Sequence, residues 1–167
     1  MTKAVWGSIL TAAAIILLPS QVFAQASDTG SVTVSATVNA KAKLTLGATT
    51  ASFGDDDPDV TPLLSAAAIS VSVKSRTSAA GSVTLTVLAG GDLVNAATDT
   101  IAISALTWTV SGTGFSAGTM DKTTAQSLGS WTGGGTAAGT QTYKLVNSWN
   151  YKTGLYGATI TYTLTAP

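Results

Sequence analysis

Apolar residues alternate with Thr or Ser along most of this chain, and this period of two predicts β-strands. The alternating apolar positions are Val32, Val34, Ala36 and Val38; Ile69, Val71 and Val73; Val83, Leu85 and Val87; Ile101 and Ile103; Leu106, Trp108 and Val110; and Ala158, Ile160, Tyr162 and Leu164. Side chains of a strand point alternately to its two faces, so each run offers one face to a core and one to water. Antiparallel strands with one buried face are therefore expected.

Glycine-rich segments separate the alternating runs and predict the connections between strands. The glycine-rich segment Gly133–Gly139 is expected to form a flexible hairpin loop. Outside the N-terminal segment only Leu63–Ala68 could form a short helical turn. About eight to ten short strands with turn signals between them predict an all-β fold, a single antiparallel β-sandwich.

The N-terminus has the features of a cleaved export signal. Lys3 precedes an apolar run that Pro19 ends, and Val22-Phe23-Ala24 supplies the small residues of a cleavage site. The run is shorter than the ~20 residues that span a bilayer, so we favour cleavage after Ala24 over a retained membrane anchor. The expected organisation is a signal peptide at 1–24, a leader and N-terminal strand at 25–39, and a β-sandwich domain at 40–167.

The composition argues against an enzyme. The chain has no His, Cys or Glu; its charged residues are eight aspartates and eight Lys or Arg. His, Cys and carboxylates supply most nucleophile–base pairs and transition-metal sites, so we expect neither catalytic residues nor a cofactor. The basic residues are scattered along the sequence, so nucleic acid is not an expected partner.

Half of the acidic residues lie in one short segment, Asp55-Asp56-Asp57-Pro58-Asp59. Carboxylates at Asp55, Asp57 and Asp59 are the hard oxygen ligands that calcium prefers. The EF-hand pattern is missing, and Asp-Pro pairs are ordinary turn formers. A solvated acidic turn is therefore the favoured interpretation, and calcium binding is the weaker alternative.

Aromatic residues offer a second candidate site. Trp149 and Tyr151 flank Asn150 at a predicted turn, where exposed rings could stack on a sugar. Trp108 and Tyr162 alternate with Thr and are expected in the core instead. Trp149 and Tyr151 are thus the candidate ligand platform of a self-contained secreted module that binds carbohydrate or another surface ligand.

The N-terminal strand, Ser31–Asn39, is uncharged and contains no proline. Such a strand pairs within its own domain or completes the sheet of a neighbouring copy. Composition alone favours internal pairing.

Several short motifs resemble those of spore coat protein U-type domains, which include the major subunits of archaic chaperone-usher pili. The similar segments, in order, are Val32–Asn39, Ser52-Phe53-Gly54, Asp57-Pro58, Ile69–Val73, Gly154 with Tyr156, and Ala158–Leu164. The cysteines usual in that family are absent; Lys43 and Val73 or Lys74 stand near their places. Cysteine-free enterobacterial pilins are a comparable match.

The resemblance implies an incomplete immunoglobulin-like antiparallel β-sandwich and a non-enzymatic fimbrial or surface-coat subunit. Val32, Val34, Ala36 and Val38 would form the self-assembly strand that one copy donates to the next. Ala158, Ile160, Tyr162 and Leu164 would form the acceptor strand, which would also contact a periplasmic chaperone. The expected partners are other copies of the chain, this chaperone and an outer-membrane usher. The protein is expected to be secreted or to lie on the cell surface of a bacterium, reached through the periplasm, with no transmembrane anchor after processing.

Overall fold

A computed structural model of this protein describes residues 26–167, and the expected signal peptide, 1–24, lies outside the described residues. The described part is all-β, with eleven strands and one 3-10 turn, Ile103–Ala105. The strands are β1 (Lys41–Leu46), β2 (Leu63–Ser65), β3 (Ile69–Arg76), β4 (Ser82–Ala89), β5 (Leu93–Val94), β6 (Thr100–Ile101), β7 (Leu106–Ser111), β8 (Gly118–Thr119), β9 (Gln126–Thr132), β10 (Gly135–Val146) and β11 (Ile160–Thr165). Every pair of these strands is antiparallel, which confirms the predicted fold class.

Most strands belong to two sheets that pack as a sandwich. The larger sheet has the order β1-β3-β10-β7-β8, and β2 also pairs with β10; the smaller sheet has the order β11-β4-β9. β5 and β6 form a separate two-stranded ladder. Within residues 26–167, no helix has the length and apolarity required to cross a bilayer.

The core lies between the two sheets and uses the alternating residues of the predicted strands. In β4, Val83, Leu85 and Val87 are fully buried, and the residues between them are partly exposed. Trp108 of β7 is buried as predicted, and its indole N–H donates a hydrogen bond of 2.8 Å to the carbonyl oxygen of Ser116. Burial of a Val or Leu side chain contributes roughly 1.5–3 kcal/mol, so these rows stabilise the contact between the sheets.

Three local predictions are wrong. Leu63–Ala68 forms no helical turn, because Leu63–Ser65 pairs with the end of β10. Ile103 lies in the 3-10 turn instead of a strand, and its N–H donates to the carboxylate of Asp92 at 2.9 Å. The segment Gly133–Gly139 is not a hairpin loop: residues 135–139 belong to β10, β9 and β10 lie in different sheets, and Gly133 has a φ of 77°. Glycine adopts this left-handed conformation at little cost.

Candidate functional site

An apolar groove of about 1220 Å³ opens between the two sheets, at the end of the sandwich where β1 ends and β11 begins. We call it the interlayer groove. The residues that the two sheets contribute to it are Leu46, Leu64, Ile69, Leu106, Tyr143, Leu145, Ile160 and Tyr162. Residues 48–58 and most of 147–158 form its rim. Small-molecule pockets are usually ~300–1,000 Å³, so a groove of this volume can also accommodate a short polypeptide segment.

The strand β11 borders the groove, and its apolar face is incompletely buried. Ile160, Tyr162 and Leu164 point inward but are only half-buried, whereas the inward row of the neighbouring β4 is fully buried. Ala158, predicted as part of this strand, precedes it and is exposed. In these two sheets β11 pairs only with β4 and β1 only with β3, so each leaves one edge unpaired. An unpaired edge beside a half-buried apolar row is suited to accept a further strand.

A hydrogen-bonded group of three side chains links the sheets at the groove. The hydroxyl oxygens of Tyr143 on β10 and Tyr162 on β11 are 2.7 Å apart. Tyr162 donates to Oε1 of Gln141 at 2.7 Å, so Tyr143 donates to Tyr162. Burial raises the pKa of both tyrosines, and for Tyr143 the hydrogen bond with Tyr162 raises the pKa further. Gln141 is fully buried, and its Nε2 has no hydrogen-bond partner among residues 26–167.

The predicted N-terminal strand is not a strand within this chain. Residues 26–40 contain no regular secondary structure. Val32 and Val34 are each 88% exposed, and Ala36 and Val38 are exposed as well. Ser31–Asn39 takes part in none of the strand pairs of residues 26–167. Internal pairing, which composition favoured, and pairing with a neighbouring copy both stay predictions.

The acidic segment forms a turn on the rim of the groove. The N–H groups of Val60 and Thr61 donate to the carbonyl oxygen of Asp57, and the N–H of Asp59 donates to the Asp57 carboxylate at 2.9 Å. Asp56 accepts hydrogen bonds from the Thr61 hydroxyl and from the N–H of Asp57, which lower the pKa of its carboxyl.

The carboxylates of Asp55, Asp57 and Asp59 are all exposed. No group of three or more potential metal ligands occurs in the described part of the chain, so these three carboxylates do not converge on a common point. The segment is an exposed turn, and calcium binding stays an untested alternative.

The two candidate platform aromatics also lie on the rim, but they differ in exposure. Trp149 is 68% exposed, whereas Tyr151 is partly buried against the core, and burial raises its pKa. Leu155, on the same rim, is 92% exposed. The rim therefore presents two large apolar side chains to solvent.

Four basic residues that are dispersed in the sequence lie together in the structure. The register of β1 and β3 places Lys41 opposite Arg76 and Lys43 opposite Lys74. All four are exposed or half-exposed and alternate with inward-facing residues such as Val73. The pairing of β1 with β3 thus brings together two Lys/Arg pairs that are far apart in the sequence. We call these four residues the basic cluster.

The sequence interpretation missed Gln141 and the groove residues Leu46 and Leu64. The available signal for the hydrogen-bonded group was the alternation of Gln141, Tyr143 and Leu145 with more polar residues. A comparison with protein-family models finds no match for this chain, and a comparison with curated protein sequences finds none either. The geometry of the groove and the pattern of the N-terminal segment are therefore the guides to function.

Proposed function

We propose that this protein is a structural subunit of an extracellular filament or surface coat. Residues 31–39 of one copy insert as a strand beside β11 of the next copy and cover its interlayer groove. The observation that carries the proposal is that one chain contains two features that could complete each other in neighbouring copies. These are an edge strand with a half-buried apolar row and an exposed segment with apolar residues at alternate positions.

Apolar side chains and backbone hydrogen bonds would both have to contribute to offset the cost of ordering the inserted segment. Val32, Val34 and Val38 point to the same side of an extended segment, and full burial of each would contribute roughly 1.5–3 kcal/mol. Backbone hydrogen bonds to the edge of β11 would add about 0.5–1.5 kcal/mol each and would fix the register. Ordering the segment costs about 1–2 kcal/mol per residue, so insertion of a matching apolar row is needed for a net gain.

Export follows from the same proposal. The expected signal peptide directs the chain to the periplasm of a bacterium. An open apolar groove would aggregate there, so we propose that a periplasmic chaperone covers β11 and that an outer-membrane usher exchanges it for the next subunit. The absence of catalytic pairs in the sequence agrees with a non-enzymatic role.

The substitution Val34→Asp tests strand insertion. It would place a carboxylate in the apolar groove, and burial of an unpaired charge costs several kcal/mol, so assembly should be lost. Thr33→Asp is the matched control, because its side chain points to the opposite face of the segment and assembly should persist. Size-exclusion chromatography with light scattering of the mature chain, over a range of concentrations, measures the result.

Two outcomes would contradict the proposal. One is a mature wild-type chain that stays monomeric at every concentration. The other is equal assembly of the Val34→Asp and Thr33→Asp chains, because strand insertion requires the two faces to differ.

A second candidate function is a self-contained secreted module that binds carbohydrate or another surface ligand. The exposed Trp149 on the rim favours it, because aromatic rings stack on sugar faces. A concentration-independent monomer that binds a glycan through Trp149 would make this the leading function.

A further inference from the structure

The basic cluster has no intramolecular counter-charge in the described structure. Its members face each other as like charges, Lys41 opposite Arg76 and Lys43 opposite Lys74. Like charges directly opposite on neighbouring strands are destabilising. Within residues 26–167 the one ion pair joins Lys122 and Asp92 at 2.6 Å, away from the cluster. An anionic partner would relieve this repulsion.

The cluster lies at the point where the N-terminal segment joins the domain. Only Asn39 and Ala40 separate Val38 from Lys41 at the start of β1. The guanidinium Nε of Arg76 donates to the carbonyl oxygen of Asn39 at 2.9 Å and holds this junction against the cluster. Three residues of extended chain span about 10 Å. If Val38 enters a neighbour's groove, the basic cluster must therefore come close to the rim of that groove.

The rim of the groove carries the complementary charge. Asp55, Asp56 and Asp57 line it, and Asp59 belongs to the same turn; Lys152 is the opposing positive charge on the rim. This turn follows the end of β1, whereas the basic cluster includes the start of β1, so the two charged surfaces lie at opposite ends of one strand. Opposite charges at opposite ends favour head-to-tail contact between copies.

We infer that the acidic turn of one copy docks against the basic cluster of the copy whose N-terminal segment fills its groove. This inference rests on the proposed function and adds a second contact to it. Surface charges of this kind act mainly on the association rate and are screened by salt over a Debye length of about 8–10 Å. Assembly should therefore slow by about tenfold when the charges on one side are reversed at low salt.

Charge reversal in both partners tests this contact. One variant carries Asp55→Lys and Asp59→Lys, which leaves the carboxylates of Asp56 and Asp57 that hold the turn in place. A second carries Lys43→Asp and Lys74→Asp, which leaves Arg76 bonded to Asn39. A third combines all four substitutions. Lys144→Asp, on an outward position of β10 outside the cluster, is the control.

The expected result is slow assembly of the first two variants at low salt and recovery of the wild-type rate in the combined variant. The control should assemble like the wild type, and circular dichroism should show that every variant is folded. The difference between variants should shrink at 0.5 M NaCl. Light scattering on dilution from a monomeric stock measures the rates.

The inference is wrong if both reversed variants assemble at the wild-type rate while Val34→Asp blocks assembly, and strand insertion then stands without the charged contact. It is also wrong if Lys43→Asp/Lys74→Asp abolishes binding to polyphosphate but leaves assembly unchanged, because the cluster then serves an external polyanion. A wild-type chain that never assembles contradicts both proposals.

Discussion

Tyr143, Tyr162 and Gln141 join the two sheets by hydrogen bonds inside an otherwise apolar interior. A buried hydroxyl without a partner is costly; Tyr143 depends on Tyr162 for its hydrogen bond, and Tyr162 in turn donates to Gln141. Gln141 satisfies its carbonyl oxygen but not its amide nitrogen, which is a net cost to stability. The group therefore contributes more to the relative position of the sheets than to the free energy of unfolding.

The raised pKa values of these tyrosines predict a loss of stability in alkali. An unfolded tyrosine ionises near pH 10, whereas burial holds the pKa of folded Tyr143 higher. As the pH rises above about 10, the unfolded chain loses its proton first. The stabilisation is thus complete below this pH, and the free energy of unfolding then falls by about 1.4 kcal/mol per pH unit for each such tyrosine.

Replacement of Tyr143 by Phe should make the free energy of unfolding fall less steeply above pH 10, by about 1.4 kcal/mol per pH unit, because the variant lacks one ionisable group. Urea unfolding of both chains between pH 9 and 11.5 measures the slopes, and lysine ionisation contributes to both alike. Equal slopes in the two chains would show that Tyr143 ionises equally in the folded and unfolded states.

At the level of strands, alternation identified β3, β4, β7 and β11 because each buries one face. The pattern could not identify β2, since the short run Leu63–Ala68 fits more than one period and its pairing with β10 lies far along the chain. The basic cluster was hidden for the same reason: Lys41 and Lys43 are separated from Lys74 and Arg76 until β1 pairs with β3. Both features form only when strands that are far apart in the sequence pair with each other.

The two edges of the smaller sheet should respond differently to assembly. Insertion of residues 31–39 beside β11 would give its outward N–H groups new acceptors, so their hydrogen exchange should slow. The strand β9 at the other edge of this sheet is the internal control and should exchange as before. Deuterium exchange of monomer and polymer, followed by mass spectrometry of the peptides that cover each strand, measures this. Equal protection of β11 in the two states would place the contact elsewhere.

At the level of the whole molecule, the junction at Ala40 and the acidic turn determine the direction of insertion. The acidic turn lies at the end of the groove where β11 begins. If the junction of the donor copy leaves the groove there, the inserted segment runs antiparallel to β11. Each subunit then stacks the start of its β1 on the rim of the preceding one, which produces an open head-to-tail chain.

A pair of introduced cysteines can test this direction, because the chain has no cysteine of its own. Ala40→Cys marks the junction, and Gly54→Cys marks the rim, where an added Cβ meets no atom within 4 Å. The two positions flank opposite ends of β1, whose five residue steps span about 17 Å, so a disulfide cannot close within one copy. Mild oxidation of the polymer should give a covalent ladder on denaturing gels, whereas either single variant should give at most dimers. A ladder from Ala40→Cys with Thr165→Cys instead would show that the segment runs parallel to β11, because Thr165 marks the opposite end of that strand.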